Sequence, residues 1–150
     1  MEGKIIMDKE YWIKKLNLES HIEGGYFVET YKKLSSNILF LLTEENPSNF
    51  HRLDSDETWF YHYGESLIVH MIDEFGKYNE IRMGLGENEY LQYTVPAGTI
   101  FGSSVEKDYS LVSCTVSPAF NYEQFYLFKR EELLEKYPEY KKIIEKLTKN

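Results

Sequence analysis

An imidazole and a carboxyl set six positions apart, His51 and Glu57 in FHRLDSDETWFYHYG (residues 50–64), are the pair in this chain best suited to joint chemistry. Imidazole titrates near neutrality, and a carboxyl partly withdrawn from water is raised toward the same range, so the two form a candidate proton-transfer pair. Alternate side chains of a strand share a face, so His51, position 53 and, across a short turn, Glu57 can point to one side. In such a site the imidazole takes a proton next to a carbonyl and a tyrosine, Tyr61 or Tyr93, returns one, which amounts to epimerisation or isomerisation of a small polar metabolite. Asp54 and Asp56 have the opposite parity and suit solvent or turn capping. His62 also opposes Glu57 and Tyr61 in parity, and His70 lies in the apolar run LIVHMI; both read as hydrogen-bonded packing residues. The sequence contains no His/Cys cluster of zinc-finger spacing, no phosphate loop and no nucleophile elbow.

A second polar constellation is HIEGGYFVETYK, residues 21–32. Gly24 and Gly25 permit a tight turn and a close approach of backbone to ligand, which makes Gly25 a candidate ligand contact. Glu23 and Glu29 are candidate binding carboxyls, and His21 a group supporting them. Glu29 and Tyr31 share a strand face while Thr30 takes the other, and either face could be the inner one. Trp59, Tyr93 and Phe101 are candidate aromatic walls of a binding site, the alternative being that such a site holds a ligand without changing it.

These residues need a scaffold of short strands. Runs rich in Val, Ile, Thr, Tyr and Phe recur at 26–31, 37–42, 58–63, 66–73, 80–83, 90–95, 102–104, 110–117 and 124–128, separated by turn residues such as Glu74-Phe75-Gly76 and Pro96-Ala97-Gly98. So many short strands without intervening helices define an all-β sandwich or barrel spanning about residues 24–128. Residues 8–18 read as a short helix with Asp8 as N-cap and Trp12, Ile13 and Leu16 on one side. Residues 131–148 read as amphipathic helix, with Leu133, Tyr137, Tyr140, Ile144 and Leu147 on one stripe, divided by Pro138. The 150 residues make one domain.

Two fragments resemble the motifs of cupins. The first, H-x-H followed by Glu and then Gly, is matched by His51, Glu57 and Gly64, with Leu53 in place of the second His. The second is matched by Pro96-Ala97-Gly98, with Tyr90 for its leading Gly and Phe101 for its closing His. Two of the usual four metal ligands are thus hydrocarbon, so no metal cofactor is expected, the alternative being weak divalent-metal binding by His51 and Glu57. HIEGGYFVETYK, together with HRLDSDETW, VPAGT, LVSCTVSPAFNYEQF and EELLEKYPEY, resembles the uncharacterised cupin family DUF985, or Cupin-5, over about residues 8–147. Ile22 stands where Pro is usual, and Val28 where a long polar residue such as Arg is expected. The resemblance implies a jelly-roll barrel, a homodimer and a likeness to the sugar-nucleotide epimerase branch of cupins, hence a small-molecule, carbohydrate-derived ligand. A metal-dependent oxygenase is the reading least favoured by the incomplete ligand set.

A net charge of −8, with no basic run before the final helix, disfavours nucleic acid and anionic membrane surfaces as partners. The single cysteine, Cys114, cannot form an intramolecular disulfide and reads as a buried thiol. With no apolar stretch of membrane-spanning length and no signal-peptide pattern at the amino terminus, a cytoplasmic address is expected.

Overall fold

The computed structural model describes residues 3–149. Two antiparallel sheets face each other. The first orders its strands β1 (Glu19–Ser20), β2 (Tyr26–Lys32), β3 (Ser36–Thr43), β10 (Tyr109–Ser117), β5 (Asp56–Gly64) and β8 (Gln92–Val95). The second orders β11 (Phe125–Leu127), β4 (Ser48–Leu53), β9 (Ile100–Val105), β6 (Leu67–Ile72) and β7 (Tyr78–Met83). Consecutive strands cross between sheets, β3 to β4, β5 to β6 and β9 to β10, which is the connectivity of a jelly roll. Every strand expected from patterning is present, within a few residues at its ends. β4 is missing from the patterned runs, although the shared face of His51 and Leu53 assumed a strand there, and the short β1 was not expected.

The interior follows strand alternation: Phe40, Leu42, Trp59, Val69, Met83, Phe101, Val112 and Cys114 are buried between the sheets. The outer faces are covered by helices. α1 (Lys9–Leu16) starts at Asp8, whose carboxylate accepts the Tyr11 N–H at 2.9 Å, and lays Trp12, Ile13 and Leu16 on Leu41 and Leu111. α2 (Arg130–Lys136), a 3-10 turn opened by Pro138, and α3 (Lys141–Lys146) cover Phe50, Ile72 and Ile100 with Leu133, Tyr137, Ile144 and Leu147. No helix among the described residues is long and apolar enough to cross a membrane.

β4 is thus covered on both faces, and its ladder to β9 is interrupted between Ser48 and His51. There the Asn49 N–H turns to the carbonyl of Glu23 at 2.7 Å, while the Phe50 N–H donates to the Leu147 carbonyl at 2.8 Å. The bulge frees the Asn49 carbonyl and swings His51 into the barrel, a use of irregular pairing common beside functional sites.

The Gly24-Gly25 turn docks against this irregularity. Gly24 has φ +110°, and a Cβ there would stand 1.9 Å from the Pro47 carbonyl oxygen, a backbone atom that cannot swing aside. Gly24→Ala should therefore cost about 3 kcal/mol or more, from strain plus displacement of the β4 junction, measured by urea unfolding. A loss under about 1 kcal/mol would mean the turn is free to shift. Gly25, with φ +74°, packs against Leu42 and Phe40 side chains rather than the cavity. It is a core contact and not the ligand contact expected of it.

Candidate functional site

One end of the barrel holds a cavity of about 290 Å³ whose lining includes His21, Glu23, Phe27, His51, Glu57 and Cys114. β4 supplies His51 and Leu53, β5 supplies Glu57, and β2 supplies Phe27 and Glu29, which settles the inner face of that strand. The β2–β3 register slips between Glu29 and Tyr31, so Thr30 is the extra residue and Lys32 also reaches the cavity mouth. Phe120, Tyr122 and Phe125 close one side from the segment after β10.

The deep polar group is an ion pair. His51 Nε2 lies 2.8 Å from Glu23 Oε2, which also accepts the Ser48 hydroxyl at 3.0 Å, and both side chains are buried. The other ring nitrogen, Nδ1, lies 2.7 Å from the Asn49 carbonyl and so carries a proton. With two acceptors fixed, the ring is held as an imidazolium. Burial alone would lower its pKa, but the Glu23 charge and hydrogen bond outweigh this and lift it to about 9. For Glu23, the positive ring and its hydrogen bonds more than offset burial and hold its carboxyl below the usual range. His51 therefore serves as a fixed cation, and the expectation that its imidazole abstracts a proton is corrected: no ring nitrogen is left with a free lone pair.

Glu57 behaves oppositely. Its carboxyl is buried, and Oε2 and the indole N–H of Trp59 make no hydrogen bond of ordinary geometry, although the indole is near enough to favour the charged carboxylate. Burial, reinforced by the Glu23 charge and opposed by His51 and by the nearby Trp59 indole N–H, raises the Glu57 pKa to about 8. At neutral pH most of this carboxyl is protonated. Above it, His21 Nδ1 accepts the Glu23 backbone N–H at 3.1 Å, and burial lowers the ring's pKa. Its 3.4 Å approach to Glu23 Oε1 is then a contact of a neutral ring and not an ion pair. Burial also pushes the Cys114 thiol up, which leaves it protonated and inert.

His51, Glu57, Glu23 and Glu29 thus converge on the cavity; other expected residues lie elsewhere. Tyr61 is directed to the opposite end of the barrel, where its hydroxyl donates to the Gly64 carbonyl, and it is not a cavity acid. Trp59 is 1% exposed and packs between Phe40 and Phe101, deeper than the cavity. Phe101, paired with His51 across β4 and β9, lies against its ring at 4.2 Å between centroids and contacts no cavity space. Tyr93 pairs with Trp59 across β5 and β8 and packs edge-on against Tyr90. His62 bonds Ser113 on the outer face, and His70 lies between Tyr78 and Ser104 hydroxyls at 2.6 and 2.7 Å. Glu19, Phe27, Lys32, Phe120, Tyr122 and Phe125 are lining residues that sequence reasoning missed.

A jelly-roll barrel with His51 and Glu57 facing inward from consecutive strands, β4 and β5, one in each sheet, has the architecture of a cupin. The chain belongs to the family described as Cupin superfamily (DUF985), whose pattern matches residues 10–128. It is similar to a protein from Shewanella oneidensis solved by X-ray crystallography, at 40% identity and TM-score 0.92, covering 96% of this chain and 99% of that one. A hypothetical protein from Leishmania major is similar at 38% identity and TM-score 0.90, covering 95% and 99%. Oxalate decarboxylase from Bacillus subtilis shares the fold at 15% identity and TM-score 0.61, covering 85% of this chain and 36% of that one. No protein of curated function matches.

Metal-holding cupins set the measure for the donors present here, and those donors do not fit. Leu53 and Phe101 occupy two ligand positions with hydrocarbon, and both His51 nitrogens are engaged. Among the described residues no group of three His, Cys, Asp or Glu side chains is placed to hold an ion.

Proposed function

We propose that the cavity binds a small metabolite through a carbonyl or hydroxyl oxygen, and that Glu57 exchanges a proton with it in isomerase- or epimerase-type chemistry that needs no metal. The observation carrying this reading is the Glu57 carboxyl: buried, unpartnered at Oε2, facing the cavity and titrating at about 8. A carboxyl poised near working pH gives and takes protons with the smallest combined penalty. His51, charged and fixed, stabilises negative charge developing on a bound oxygen through its field. A single titrating carboxyl suits a one-base isomerisation, in which the proton leaves one carbon and returns to the adjacent one on the same face; inversion at one carbon requires the planar intermediate to turn over before the proton returns. A carbohydrate derivative, as the family resemblance suggests, is one such compound. Holding a ligand without changing it is the second reading, supported by the apolar walls Phe27, Ile38, Phe120 and Phe125.

Mass spectrometry of small molecules carried through native purification identifies the bound compound, and NMR in D2O then follows exchange of its carbon-bound hydrogens. The parent chain should catalyse exchange, and Glu57→Gln should retain the compound while slowing exchange about 100-fold or more. Retention without exchange in both proteins would establish the binding reading, and equal exchange in both would remove Glu57 from the chemistry.

A further inference from the structure

The mouth of the cavity carries charges that the chemistry at its floor does not use. Glu19 on β1 is the direct cross-strand partner of Phe27 on β2, and Glu29 lies two residues along β2 on the same face, so a carboxylate–aromatic–carboxylate row borders the opening. Both glutamates are exposed, and among the described residues neither makes an ion pair within 4 Å or a side-chain hydrogen bond. Lys32, at the hairpin end of the same strand, is the exposed cation of the lining and among the described residues makes no ion pair within 4 Å. The floor adds no net charge: Glu23 and His51 cancel, Glu57 is protonated at neutral pH and His21 is neutral. An opening with two carboxylates and one ammonium, above a neutral interior, has a negative field, in a chain whose net charge is −8.

We propose that this cavity selects cationic ligands: a compact, partly apolar metabolite whose ammonium group rests between Glu19 and Glu29 over the Phe27 ring, while an oxygen at its other end reaches the Glu57 carboxyl where that side chain lines the cavity. The acidic row alone would be only a solvated edge. What makes it part of a site is the second polar group, the buried Glu57 side chain, which lines the same cavity and makes no hydrogen bond through Oε2. Carboxylates beside an aromatic face suit an ammonium group, by charge and by the ring's own negative face. The apolar walls between the two polar ends favour a hydrocarbon or ring middle. Phosphorylated compounds and sugar nucleotides are disfavoured by the same field, and the size of the cavity, about 290 Å³, is at the lower end for organic ligands.

This inference rests on the small-molecule reading of the cavity but concerns charge selection alone, so it is testable without turnover. Tyramine, tyrosol and 4-hydroxyphenylacetate share a phenol and differ mainly in a cationic, neutral or anionic tail. Each is titrated into the full chain, with binding followed by NMR shifts of the His21 and Phe27 rings. Tyramine should bind about tenfold more tightly than 4-hydroxyphenylacetate, with tyrosol between. The preference should vanish in Glu19→Gln/Glu29→Gln, widen in Lys32→Gln and shrink in about 0.5 M salt, where exposed charges are screened. Equal affinities, or a tighter anion, would overturn charge selection while leaving a cavity that binds small molecules. Failure of all three to shift the ring signals would also overturn it, and retention of a natively bound compound would then show that the cavity reading survives.

Discussion

Glu57→Gln should be slightly less stable than the parent chain at pH 5 and clearly more stable at pH 9. In the unfolded chain Glu57 titrates near 4.5, and in the folded protein burial raises it to about 8. Between those values the folded state holds a proton that the unfolded state has released, so stability falls as pH rises through that window. A shift of this size corresponds to stability on the order of 5 kcal/mol, fully present below pH 4.5 and lost by pH 8 and above. Glutamine cannot ionise, so the variant escapes this loss. At pH 5 it instead suffers from a buried amide with unmatched donors, about 1–2 kcal/mol. The difference in unfolding free energy between the two proteins should therefore change sign with pH. Urea unfolding at pH 5, 7 and 9 measures it, and a difference independent of pH would mean that Glu57 is ionised in the folded protein at neutrality. His51, lifted to about 9 from 6.5, adds a loss between those values in the parent. On the acid side His70, lowered to about 4 by burial, costs stability as pH falls from 6.5 toward 4. The parent should be most stable near pH 6.

Which parts of this site were legible in the sequence depended on whether a local period determined them. His51, Leu53 and Glu57 share parity, and the structure places all three on the cavity. Parity says nothing of depth, however. Tyr61 has the parity of Glu57, but four residues of strand carry it about 13 Å further along the barrel. Trp59, two residues on, has already passed from the cavity into the core. β4 was assumed only through the shared face of His51 and Leu53 and did not appear as a patterned run, because its pattern is reversed by its surroundings. Phe50 is buried outward beneath α3, while the inward positions include the polar His51. A period-2 search for apolar residues on one face fails on a strand buried on both sides. Glu23 was visible as a candidate carboxyl, but its pairing with His51 was not. It depends on the bulge at Asn49 and on the Gly24-Gly25 turn meeting β4, a long-range contact that no spacing encodes. The altered role of His51 follows from that missing contact. A histidine read alone is a base near neutrality; one held between a carboxylate and a carbonyl is a cation.

The Glu23–His51 pair should show strong non-additivity. His51→Leu leaves the Glu23 carboxylate buried with only the Ser48 hydroxyl, and Glu23→Leu leaves the buried imidazole without its anion. Removing one partner of a buried pair typically costs about 3–5 kcal/mol, because the remaining charge loses its compensation and must lose its ionisation or its burial. The double variant, with hydrocarbon at both sites, removes both desolvation penalties. It should keep only the smaller cost of an unpartnered Asn49 carbonyl and Ser48 hydroxyl, about 1–3 kcal/mol. It should thus be more stable than His51→Leu alone, with a coupling energy of about 2 kcal/mol or more. The deficit of His51→Leu should be largest above about pH 6 and narrow in acid. Without its cation, burial raises the Glu23 pKa, and protonation then relieves the uncompensated charge. Urea unfolding of the four proteins at pH 5 and pH 7.5 closes the cycle. Additive losses would mean that water or a neighbouring group satisfies each side chain independently, and the fixed-imidazolium account of the cavity floor would then fail.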